Sequence, residues 1–157
     1  LYQAINKILC ERKPRETLQQ GIVDNALKAL LQREDGSLGG LAGAPKFPQE
    51  PILLFLLDQV IRRDDGAALG FVERALQGMG RGGIYDQIGG GFHRYSVDEG
   101  WLTPHFEKML YDNAQFILLL SKYCKINPDN YFKHKLEQTI DFLKNNFVNK
   151  EGFLGSA

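Results

Sequence analysis

Cysteine is scarce: Cys10 and Cys124 are the only two in 157 residues, far apart, with no CxxC or metal-ligand spacing. That excludes a disulfide scaffold and a cysteine-built zinc site, and two buried free thiols fit a reducing, cytoplasmic compartment. Excess charge is missing as well. Nineteen basic residues cancel nineteen acidic ones, which leaves no electrostatic footprint for nucleic acid or an anionic membrane surface. The longest unbroken apolar run, residues 52–57, is far short of the ~20 residues that cross a bilayer. There is no G-x-S-x-G, P-loop or dinucleotide fingerprint, because the glycines at 39–43 and 89–91 lack the strand-then-helix context those motifs need. Leu1 is not an initiator methionine, no signal-peptide pattern follows it, and residues 150–157 open a fresh loop. The expectation is a piece of a larger protein.

What is present is helical periodicity. Residues 1–13 put Leu1, Ile5, Ile8 and Leu9 on one face, and residues 16–33 carry a second apolar stripe. Residues 48–63 are apolar all round, 67–79 are one-sided, 104–125 are apolar almost all round, and 129–148 are one-sided again. Loops leading into the all-round apolar helices are long and glycine-rich (34–47 and 80–103), and links leading out of them are short (64–66 and 127–128). Alternation of this kind predicts helical hairpins in an inner and an outer layer, with the long loops gathered where the inner helices begin. The fold class is all-α, an α/α hairpin toroid. An open superhelix of hairpins satisfies the same periodicity.

One stretch stands apart. Residues 82–113 hold two of the three histidines, the only tryptophan and a dense set of polar and aromatic side chains. Connections between helices normally need only ~4–6 residues, so a long insert of this composition is where a site is expected. Residues 92–103 read as a small β-hairpin, with 98–100 as its turn. Thr103-Pro104 reads as an N-cap followed by proline at the first helical position. That would place His105 and Glu107 in the first turns of an inner helix, where the dipole favours an ionised Glu107 and a neutral His105.

The candidate acid–base groups are His93, His105, Glu107 and Asp112, because a neutral imidazole beside a carboxylate can move protons near neutral pH. Asp86, Arg94, Tyr95, Trp101 and Tyr111 are the candidate lining of a binding pocket, since aromatics facing a polar cleft make sugar platforms. Each has a structural alternative. The histidines can pin the insert, Glu107 can pair with Arg94 or Lys108, Asp112 and Asn113 can cap loop amides, and the aromatics can be packing. His93, His105 and Glu107 have no recognised zinc spacing, so no metal is expected, and no cofactor motif is present.

The stretches GGLAGAPKFP (39–48) and GGIYDQIGGGFHRYSVDEGWLTPHFEKMLYDN (82–113) closely resemble the thioredoxin-domain-containing spermatogenesis-associated protein family, which includes many bacterial homologues. The resemblance covers nearly the whole chain, and residues 152–157 look like that family's next loop. It implies a thioredoxin-like domain ahead of an (α/α)6 toroid similar to N-acylglucosamine 2-epimerases and six-hairpin glycosidases. This chain would be the first half of that toroid, a single all-α domain over 1–157 without the thioredoxin-like part. The implied function is carbohydrate-active or sugar-binding, epimerase- or glycosidase-like, with His93 and His105 as acid–base groups. The alternative is a non-catalytic scaffold or interaction domain for the linked thioredoxin-like domain. The expected partners are a sugar or other small molecule and that linked domain, with no nucleic acid and no membrane.

Overall fold

The computed structural model describes residues 21–149 and 151–152. The expected helix over 1–13, the start of the one over 16–33, and Cys10 lie outside the described residues. Five helices follow in order: α1 Ile22–Leu31, α2 Glu50–Arg63, α3 Gly66–Arg81, α4 Leu110–Ile126 and α5 Asn130–Phe147. Helix α2 packs on α3, and α4 packs on α5, as two hairpins. Helix α2 also packs on α4, and α1 on α3. The all-round apolar helices α2 and α4 are thus neighbours in one layer, and the one-sided helices lie outside them.

The helix ends follow from short polar side chains. Asp65 accepts the Ala68 amide at 2.9 Å and starts α3. Asp129 accepts the Tyr131 amide at 2.8 Å and starts α5. Such caps satisfy amides that have no partner within the helix. The core joins Leu53, Leu56 and Leu57 of α2 to Phe71, Val72 and Leu76 of α3 and to Phe116, Leu119 and Leu120 of α4.

The two long loops interlock at the end where α2 and α4 begin. Lys46 and Ser96 exchange both backbone hydrogen bonds, at 2.7 and 2.9 Å. Ser96 also bridges to Pro104, so this buried serine is the centre of a three-segment antiparallel patch made of isolated bridges, with no strand long enough to form a sheet. Trp101, 1% exposed, donates its indole Nε1–H to Leu38 O at 3.0 Å and Gly39 O at 3.3 Å. Gly39 has φ 75°, and a Cβ there would lie 2.3 Å from the Arg74 carbonyl oxygen of α3. Neither the left-handed backbone nor a helix carbonyl can give way cheaply, so Gly39→Ala should destabilise the chain by about 3 kcal/mol. A urea-denaturation midpoint measures this.

One element differs from expectation. The helix read from Pro104 starts at Leu110, with Met109 extended before it (φ −89°, ψ 143°). Residues 103–107 are instead the return leg of the hairpin. His105 N donates to Tyr95 O, Arg94 N to Glu107 O and Val97 N to Thr103 O, all at 2.9 Å. Backbone committed to 94–97 cannot close helical turns. Thr103 is therefore not an N-cap; its amide is held by Asp98, which also accepts the amides of Gly100 and Leu102. These bonds, with those to Leu102 foremost, bring the Asp98 carboxyl down to about 2. The hairpin pairs 94–97 with 103–107 rather than 92–97 with 101–103 as read from sequence.

Candidate functional site

An open cleft of about 260 Å³ lies between the N-terminal ends of α2 and α4. Phe47, Gln49 and Glu50 approach from the α2 side, Tyr111, Asp112 and Gln115 from α4, and Arg94 from the hairpin. Proline punctuation sets the α2 side: Pro48 precedes the helix, Gln49 turns at φ 57°, and Pro51 occupies the first turn. This places Glu50 at the very start of an inner helix.

Glu50 is 5% exposed and Asp112 8% exposed. Glu50 Oε1 and Asp112 Oδ2 have no hydrogen-bond partner. Both lie in the first turn of a helix, where the dipole favours the ionised form by ~0.3–1 kcal/mol. Burial outweighs that. It pushes the Glu50 carboxyl up to about 7, with the Asp112 charge adding to the rise. Burial likewise lifts Asp112 to about 6, and only the Arg94 charge works against it.

At the rim, rings stack in a row. Phe47 lies on Tyr95 with centroids 4.8 Å apart, Tyr95 on His105 at 4.7 Å, and His105 beside Phe106 at 4.6 Å. Glu107 Oε2 lies 3.5 Å from His105 Nδ1 and 3.4 Å from Arg94. His105 and Glu107 thus remain side by side, but on the hairpin leg and not in a helix. The helix dipole expected to act on them from the sequence acts instead on Asp112, in the first turn of α4.

His93 occupies a separate niche. Its Nδ1 is buried without a partner. Burial, followed by the nearby Lys108 charge, lowers its pKa, so the ring is neutral near pH 7. Asp86 accepts the amides of Ile88 and Gly89 and the Lys108 ammonium at 2.6 Å. Lys108 holds its carboxyl well below the usual carboxylate range. Asp86 therefore clamps the glycine loop to Lys108 and does not line the cleft. Trp101 is likewise core, not pocket lining. Its ring is buried against Gly78 and Gly40, with the Lys46 ammonium 5.0 Å from its centre. Asn113 is wholly structural: fully buried, it accepts the Phe92 amide at 2.7 Å and donates to Phe92 O and Met109 O.

Of the residues singled out from sequence, Arg94, Tyr111 and Asp112 line the cleft. Tyr95, His105 and Glu107 adjoin it through Phe47 and Arg94. Glu50 was missed, with Gln49, Gln115 and Phe47. The signal was there: Glu50 is the one acidic residue opening the apolar run that follows Pro48, at the same end as the insert. Among the described residues there is no group of three or more His, Cys, Asp or Glu side chains placed to hold a metal ion. No helix among them is long and apolar enough to cross a membrane.

The chain is 39% identical over 127 residues to spermatogenesis-associated protein 20 of Rattus norvegicus, and 37% identical to that of Homo sapiens. Each match covers 78% of this chain and 16% of the relative. Over that stretch the chain is homologous to spermatogenesis-associated protein 20. An uncharacterized protein of Caenorhabditis elegans is 36% identical over 116 residues. The chain spans about a sixth of the length of these curated relatives, at 16% each. No known family model matches.

In three dimensions the fold is similar to a sugar epimerase from a ruminal bacterium, with a TM-score of 0.70 at 18% identity. That match covers 81% of this chain and 36% of the epimerase. A cellobiose 2-epimerase from Spirochaeta thermophila gives a TM-score of 0.67 at 20% identity, covering 90% of this chain and 41% of that one. These neighbours have the (α/α)6 toroid fold, and the all-α class read from the alternating helices is the one found.

Proposed function

We propose that this chain is part of a carbohydrate-active or sugar-binding toroid domain whose ligand lies in the cleft between the N-terminal ends of α2 and α4. The observation that carries this reading is the pair of buried carboxyl groups, Glu50 and Asp112, each with one unpartnered oxygen, lining an open cleft beside Arg94. Sugars are held by convergent polar groups together with aromatic faces. Here the half-exposed rings of Tyr111 and Phe47 supply the faces. Likeness to sugar epimerases supports the class by fold alone.

Within this reading Arg94 donates hydrogen bonds to the ligand. His105, beside Glu107, is an acid–base group at the rim, and His93, held neutral in its separate niche, does not reach the ligand. The reaction would be epimerase- or glycosidase-like. In the intact protein the toroid would be joined to a thioredoxin-like domain, as the sequence resemblance implies.

The test is a calorimetric titration of the full-length protein with glucose, mannose and cellobiose. Binding is expected, and Arg94→Ala should weaken it tenfold or more through loss of a charged hydrogen bond worth ~1.5–3 kcal/mol. His105→Ala should leave affinity in place and lower any turnover by about 100-fold. No heat from any sugar across a broad panel would sink the reading.

A further inference from the structure

We propose that Glu50 and Asp112 work as one unit, a carboxyl and a carboxylate that together hold a single proton and grip two adjacent hydroxyls of a neutral ligand. The proposal rests on the reading of the cleft as a sugar site and adds what that site selects. Its basis is geometric. The two side chains begin neighbouring inner helices and line the same cleft, both are more than nine-tenths buried, and one oxygen of each is buried without a hydrogen-bond partner. No lysine, arginine or histidine ion-pairs with either among the described residues.

Two ionised carboxylates buried together without a cation are unfavourable, and the usual outcome is retention of one proton. The charged and titratable groups facing the pair are few. Arg94 comes from the hairpin and is shared with Glu107, and Tyr111 comes from α4. Gln49 and Gln115 are neutral. The Arg94 charge acts on Asp112, while the Asp112 charge acts on Glu50. Asp112 is therefore the ionised member and Glu50 the proton holder.

A sugar hydroxyl both donates and accepts. A mixed pair meets two such groups with one donor and one acceptor, whereas two carboxylates can only accept. The ligand chemistry that fits is a neutral polyol with neighbouring hydroxyls. A divalent cation, the competing occupant, needs both groups ionised.

The experiment is a calorimetric titration of the intact protein with cellobiose, the probe used above, between pH 5.5 and 8.5. Affinity should peak at about pH 6–7 and fall roughly tenfold per pH unit above that, as Glu50 gives up its proton. Glu50→Gln keeps a permanent donor, so its affinity should stay level above about pH 7, where that of the natural protein falls. Asp112→Asn replaces a charged acceptor with a neutral one and should weaken binding about tenfold at about pH 6–7, where the natural protein binds best. Binding of cellobiose with the same pH profile in Glu50→Gln as in the natural protein overturns the shared-proton pair and leaves the sugar reading standing. No binding of any sugar at any pH removes both. Calcium chloride bound at the cleft with an affinity that rises with pH, and lost in Glu50→Gln, also overturns the proposal.

Discussion

Glu50→Gln should make this protein more stable above pH 7, by about 3 kcal/mol, and leave its stability near pH 4 unchanged. An isolated glutamate in an unfolded chain releases its proton near 4.5, whereas in the folded chain Glu50 holds it to about 7. Between those values the folded state carries a proton that the unfolded state has lost, so unfolding free energy falls as pH rises. Above pH 7 the full difference is lost, about 3 kcal/mol for a gap of that size. Glutamine has nearly the same shape and never ionises, so the variant does not suffer this loss. Thermal unfolding at pH 4, 6 and 8 reads the effect directly. Equal destabilisation of the variant at all three values would mean that Glu50 is a structural hydrogen-bonding residue. A stability cost retained at a cleft-lining carboxylate is what a functional group is expected to show.

Lys46→Met should have the opposite sign and comparable size, a loss of about 3 kcal/mol. The Lys46 side chain is 1% exposed, and its ammonium donates to Asp35 Oδ2 at 2.7 Å and to Glu99 O at 3.0 Å. It joins the loop before α2 to the hairpin turn. Burial alone would raise the Asp35 carboxyl, but Lys46 and the amides of Leu38 and Ser37 together bring it below its ordinary value. Removing one member of a buried pair leaves the other without its counter-charge, at ~3–5 kcal/mol, and the two amides soften that here. The double variant Lys46→Met with Asp35→Leu should recover part of the loss in a denaturation cycle. Additive losses would show that the two side chains do not interact.

The layered fold was legible because burial on all sides leaves a compositional mark. Helices α2 and α4 are apolar nearly all round because they are covered by an outer helix and by each other, whereas α3 and α5 are one-sided. The start of α4 was not legible. Thr103-Pro104 has the local chemistry of a helix N-terminus, and what overrules it is pairing with residues 94–97. That pairing is a long-range fact. The same limit explains the site residues. Trp101 and Asp86 look like pocket chemistry until their partners, Leu38 and Lys108, are brought to them by the fold. Glu50 looks like an ordinary charge complementing a helix dipole until Asp112 and the hairpin close over it.

The location of the ligand is the central claim, and hydrogen–deuterium exchange of the intact protein with and without cellobiose tests it most directly. Protection is expected in three segments: residues 46–53 at the start of α2, 92–97 in the hairpin, and 109–116 at the start of α4. The contradicting result is protection confined to the smaller cleft formed by Ser37, Arg74 and Arg81 beside α3, or no protection in the presence of sugar anywhere in the chain.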